Sequence, residues 1–242
     1  MGAAQGSSGG DAVSRSLDAV AAFVLRLDHF RAEEHDRIRA TAGAFDQALA
    51  AIRACLDAGI YTAAQTVPEP PLLCDGALEQ FLDFCRGLGI HDVMLLEPMP
   101  VRRGSPCAPL DEPSRQRLRE LHLRAVRDPA LPKVTTMSFL EGPQFLGCQA
   151  GFTFLYVGTN GEVFPCDFAP LSFGNIHETG LDEILARLAR CIPAPSRNRP
   201  ALRLRELVGD QTALPVPWDR TEAVMKDYDS GELPDLMKRI LP

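Results

Sequence analysis

Apolar and polar positions alternate in two rhythms along the first 140 residues. Val20 to Leu27 is a nearly unbroken apolar run, the pattern of a buried strand. Phe45, Leu49, Ile52 and Leu56 then recur at helical spacing, and Gly59 stands where a helix ends. Ile60 to Val67 is the next strand. Leu78, Phe81, Leu82 and Cys85 form a second helical stripe, closed by Gly87 and Gly89. Val93 to Leu96 is a short apolar strand ended by Pro98 and Pro100. Asp111 suits a helix cap with Pro113 in the first turn, and Leu118, Leu121 and Val126 are expected to face inward. Val134 to Leu140 reads as a further strand. This strand–helix alternation, repeating every ~30–35 residues, predicts parallel βαβ units.

The pattern changes after Gly147. Phe152 to Val157 and Val163 to Phe164 flank Asn160–Gly161, a two-residue hairpin signal because both residue types tolerate positive φ. Folding that hairpin brings Cys148 and Cys166 toward one end. Two thiolates there suit iron–sulfur or zinc ligation; the alternative is a half-buried hairpin with two inert cysteines.

Composition narrows the classes. Hydrophobic residues make up 45% of the 242, enough for a core. A net charge of −7 disfavours nucleic acid as a partner. No apolar run approaches the ~20 residues of a membrane helix. The Gly/Ser-rich start lacks the basic and apolar regions of a signal peptide, so a flexible segment over residues 1–16 is expected. Seven cysteines without a secretion signal point to a reducing, cytoplasmic setting.

Cys148-x-Ala150–Gly151, an apolar strand, Asn160–Gly161-x-Val163-x-Pro165–Cys166 and then Gly174–Asn175–Ile176 resemble the auxiliary-cluster (SPASM or twitch) region of radical S-adenosylmethionine enzymes. That region follows the order Cys, variable stretch, Gly, four residues, Cys, which Gly161 and Cys166 complete. The resemblance implies an auxiliary [4Fe–4S] cluster on Cys148 and Cys166. It offers Cys191 as a third ligand, or a ligand lost to arginine in Pro195–Ser196–Arg197–Asn198–Arg199. Asp167 and His177 are the non-cysteine alternatives. Arg26–Leu27–Asp28–His29–Phe30, Glu34–His35–Asp36–Arg37–Ile38–Arg39 and Ala42–Gly43–Ala44–Phe45–Asp46 resemble the fourth strand and following helix of the family's barrel. The strands near Gly59 and Gly89 resemble the fifth and sixth. Asp28 and Gln65, at the presumed strand ends, are then the candidates for cofactor binding, although Asp28 also suits a helix cap. Arg26 replaces the family's usual serine.

The expected fold is α/β: the C-terminal half of a partial (β/α) barrel over residues 17–140, a β-hairpin-plus-helix iron–sulfur domain over 141–200, and a C-terminal extension over 201–242. Trp218, Tyr228 and Leu236 are its anchors, with part of the extension disordered. The family's cofactor-cleaving cluster sits on Cys-x-x-x-Cys-x-x-Cys, and no three cysteines here have that spacing. No catalytic residue is therefore assigned. The chain reads as an incomplete radical S-adenosylmethionine protein that would take its first barrel half from a partner or act on a peptide or protein. A non-catalytic iron–sulfur module and a structural zinc protein are the other readings. Cys55 and Cys85 are expected to be small buried hydrophobes, and Cys74 and Cys107 stray loop thiols. His35–Asp36 reads as a solvated, charged helix start rather than an acid–base pair.

Overall fold

The computed structural model describes residues 21–73, 76–99, 108–199, 201, 208–209 and 213–241. The expected N-terminal flexible segment, Cys74 and Cys107 lie outside them. The chain divides into two compact units. One runs to Leu96 and adds Arg117–Thr136; the other comprises Glu97–Gln116 and Met137 onward.

The first unit is a four-stranded parallel sheet in the order β1-β2-β3-β4: Ala22–Arg26, Tyr61–Thr66, Asp92–Leu95 and Lys133–Thr136. Each strand lies beside the previous one, as parallel strand–helix repeats dictate. Helices α1 (Ala32–Arg39) and α2 (Ala44–Asp57) follow β1, and α2 packs on β1 and β2. After β2 come α3 (Pro70–Leu73) and α4 (Ala77–Leu88); α5 (Glu112–Arg127) precedes β4. The expected helical stripes are buried: Ile52, Leu78, Phe81, Leu82, Cys85 and Leu118 are at most 1% exposed. Asp111 caps α5, accepting from the Ser114 amide at 2.9 Å.

Three local expectations are corrected. Val126 is 72% exposed, because the inward stripe of α5 runs through Leu118, Leu121 and Ala125 instead. The strand expected to reach Leu140 stops at Thr136, and Met137–Leu140 is a short helix, α6. The run at Val20–Leu27 does form β1, but its first three strand residues are exposed, with Phe23 at 40% and Val24 at 48%. The cause is position: among the described residues β1 is an edge strand that pairs only with β2. Parallel sheets are ordinarily covered on both faces, which is why an apolar run reads as buried.

The second unit holds a three-stranded antiparallel sheet, β5 (Tyr156–Val157), β6 (Glu162–Phe164) and β7 (Gly174–Asn175). Helix α7 (Leu181–Cys191), α8 (Trp218–Lys226) and α9 (Met237–Ile240) follow. Val163, Leu171, Phe173, Ile184 and Val216, all fully buried, form its main core. Trp218 packs on Phe173 with ring centres 5.6 Å apart, and Tyr228 bonds to Ser196, so both act as anchors. The hairpin is present with a longer loop than expected. Val157 pairs with Val163, the Gly161 amide donates to Gly158 at 2.9 Å, and only Gly161 takes positive φ (+85°). This is a turn followed by a left-handed glycine, so Asn160 keeps an ordinary backbone. Helix α7 starts after Gly180 without a side-chain cap.

Candidate metal centre

Cys148 and Cys166 are brought together by the backbone on either side of the hairpin. The Gly151 amide donates to Pro165 O and to Phe154 O, both at 2.9 Å, which folds the Cys148–Gly151 turn onto the strand leading to Cys166. Gly151 has φ +74°, and a β-carbon there would lie 2.5 Å from Ile192 Cδ1, so glycine is required by both conformation and space. Cys148 makes an antiparallel bridge with Ser196, its amide donating at 2.8 Å and its carbonyl accepting at 3.0 Å. The two cysteines share a small buried cluster with Ala150, Ala169 and Ala201, and Met99 lies against it.

Both thiols are 8% exposed or less. Burial pushes the Cys148 thiol up to about 11 and, with the neighbouring Cys148 contributing, the Cys166 thiol up to about 12. Without a metal the pair is therefore protonated at neutral pH. A metal would have to displace both protons.

Cys191 does not join this pair. It is the last residue of α7 and packs against the larger core of Val163, Leu171 and Ile192, with its thiol raised by burial. Among the described residues no group of three or more His, Cys, Asp or Glu is arranged to hold a metal ion, so Asp167 and His177 do not complete the set either. The donor chemistry fits the first two ligands of a thiolate-bound cluster and supplies no third from the described residues.

The Ser196–Arg199 stretch beside Cys148 carries side chains whose roles the sequence did not reveal. Arg199, 10% exposed, lies 3.2 Å from Glu97 and 3.4 Å from Glu141. Glu97, 2% exposed, also accepts from Arg115 Nε at 3.0 Å and from the Ser138 hydroxyl at 2.7 Å. Burial opposes charge on Glu97, but Arg199, Ser138 and Arg115 together outweigh it and hold the carboxyl below its usual value. Glu141 is shifted the other way, by burial and by the neighbouring Glu97 and Asp167.

In the first unit, Asp28 and Gln65 stand at the carboxyl ends of adjacent strands; Gln65 is in register with Arg26. The Asp28 side chain is 1% exposed. Its Oδ1 accepts from Arg26 Nε at 2.6 Å and from the Thr66 hydroxyl at 3.4 Å; Oδ2 has no hydrogen bond and lies 3.8 Å from Arg39. Asp28 caps no helix, since α1 begins after Arg31 without a side-chain cap. The His35–Asp36 pair is neither acid–base nor solvated as a unit. His35 is 2% exposed and its Nδ1 accepts from the Asp28 amide at 3.0 Å. Asp36 turns away to accept from the Gly43 and Phe45 amides at 2.6 and 2.8 Å, fixing the start of α2.

The second unit thus carries an antiparallel hairpin that sets two buried cysteines beside a return stretch, and the first carries a parallel α/β sheet. Residues 148–199 match the model of the SPASM family, described as an iron-sulfur cluster-binding domain. No curated protein matches the chain. The fold is similar to that of SuiB from Streptococcus suis. A crystal structure of SuiB bound to S-adenosylmethionine aligns with a TM-score of 0.52 and 16% identity, over 65% of this chain and 40% of SuiB. A second SuiB crystal structure gives 0.51 and 13%, over 76% and 45%. The chain thus spans less than half of SuiB. The expected partial barrel and SPASM region are both borne out. Among the described residues no helix is long and apolar enough to cross a membrane.

Proposed function

We propose that this chain is the distal part of a radical S-adenosylmethionine protein whose SPASM domain holds an auxiliary [4Fe–4S] cluster on Cys148 and Cys166. The observation that carries the reading is the buried pair itself, two thiols in one small buried cluster within the SPASM segment. Cys191 is left out of the ligand set because it belongs to a different core. Anaerobic reconstitution with iron and sulfide should give broad absorption near ~400 nm. A Cys148→Ala, Cys166→Ala double variant should lose it, and a double variant with unchanged iron content would refute the assignment. Cys191→Ala should keep the cluster.

Asp28 and Gln65 are the residues proposed to meet S-adenosylmethionine, the ligand of SuiB in one structure. The buried Asp28 Oδ2 is an acceptor without a hydrogen bond, which a ligand hydroxyl would satisfy. The seven cysteines contain no Cys-x-x-x-Cys-x-x-Cys, so this chain alone should release no 5′-deoxyadenosine from the cofactor. The reading places the missing cluster motif on a polypeptide that supplies the first barrel strands and adds to β1 in the cytoplasm. The exposure of Phe23 and Val24 supports that edge. Phe23→Lys should raise the solubility of the isolated chain and abolish concentration-dependent association in size-exclusion chromatography. A wild-type chain that stays monomeric at all concentrations would refute the open edge.

A further inference from the structure

In this SPASM domain the stretch that returns to the cysteine pair is held by side-chain bonds at every position from Ser196 to Arg199. Ser196, 3% exposed, bridges Cys148 through the backbone, and its hydroxyl lies 2.7 Å from Tyr228 Oη and 3.1 Å from Ser230 O. Arg197 bonds Asp235 at 2.9 Å, and Asn198 donates to Asp229 O at 3.0 Å. Arg199 closes the stretch on Glu97 and Glu141 and also donates to Met137 O at 3.3 Å. Two guanidinium groups, Arg115 and Arg199, face two carboxyl groups, Glu97 and Glu141, all within the second unit. Many small metal-dependent domains are instead held together by their metal–ligand bonds and unfold when the metal is removed.

We infer that the Arg199 ion-pair cluster does the structural work of a metal–thiolate cross-link here, so that this domain folds fully without an iron–sulfur cluster and receives one at an already paired Cys148 and Cys166. The inference builds on the cluster reading above only in its second half. Removing one partner of a buried pair leaves the other charge uncompensated, which makes Arg199 the sensitive position.

Trp218 is the only tryptophan and lies in the second unit, so its fluorescence reports this unit alone. The full chain, freed of metal by chelation, is expected to unfold in one cooperative Trp218 transition. Arg199→Met should lower its midpoint by on the order of 10 °C, and Arg199→Lys, which keeps the charge but loses the planar fork, by less. Reconstitution should raise the wild-type midpoint above that of the metal-free chain, since a cluster held only by the folded domain adds to a stability already present. The metal-free double variant Cys148→Ala, Cys166→Ala should still unfold cooperatively. A metal-free chain without a Trp218 transition that regains one on reconstitution would overturn the inference. So would an Arg199→Met chain that melts like wild type. If Arg199→Met cannot be purified folded, Glu97→Gln, Arg199→Met together should recover part of the loss; no recovery would place the defect outside the pair. Should the chain take up no iron at all, the cluster assignment fails, while the metal-free melts still decide whether Arg199 holds the fold.

Discussion

Replacing Gly161 with alanine separates the backbone demand of the hairpin from the crowding around it. At φ +85° a non-glycine residue costs about 1–2 kcal/mol. The added methyl would also lie 2.5 Å from His177 Cδ2 and 2.7 Å from Asn175 Oδ1. The exposed His177 ring can turn aside, but Asn175 cannot give way freely, because its Oδ1 accepts from the His177 amide at 3.0 Å and its Nδ2 donates to Asn160 O at 3.0 Å. Losing these two exposed bonds adds about 1–2 kcal/mol. The sum, about 2–4 kcal/mol, corresponds to a fall of about 5–15 °C in the Trp218 melting midpoint. Because Val163 and Cys166 follow the turn directly, cluster uptake should fall as well. Gly180→Ala is the control: its φ is −58° and no atom lies within 4 Å of the added carbon, so it should melt close to wild type. Equal midpoints for the two variants would refute the reasoning.

Two further outcomes test the first unit. Ala40 ends α1 at φ +51° and is exposed, so Ala40→Gly relieves the left-handed strain without losing packing; urea unfolding followed by circular dichroism should show a gain of about 0.5–1 kcal/mol. His35 is held below its usual pKa by burial, against the pull of Asp28 and Asp36, so the unfolded chain binds its proton more readily than the folded one. The stability this contributes is complete above pH ~6.5 and is lost as pH falls through the lower folded value. His35→Gln should flatten that part of the pH–stability profile, with His29, shifted the same way by burial, leaving a residual slope; an unchanged profile would show that His35 does not titrate on unfolding.

Much of this architecture was legible because it follows from periodicity. The helical stripes at Leu78–Cys85 and Phe45–Leu56 bury as their spacing demands, and the cysteines flanking Asn160–Gly161 meet because a hairpin returns the chain. What stayed hidden was three-dimensional choice. Cys191 has the right distance in sequence, but the last turn of α7 commits it to the Val163–Leu171 core. Nothing local marks Arg199 as buried, because its partner Glu97 is 102 residues away. The exposure of β1 escaped for a related reason, since an apolar run says that a strand is suited to cover and cannot say whether a neighbour provides it.

The sheet order β1-β2-β3-β4 repeats the order of synthesis. As the chain leaves the ribosome, each new strand finds the preceding one already made, and the helix between them can dock before the next strand appears. Assembly of this unit is a series of nearest-neighbour additions. Growth runs in one direction only. β1, the first of these four strands to emerge, is the template for β2 on one side and pairs with no described strand on the other. If the edge pairs with a strand from elsewhere, that strand therefore has its earliest opportunity on the nascent chain, well before Cys148 and Cys166 have been synthesised.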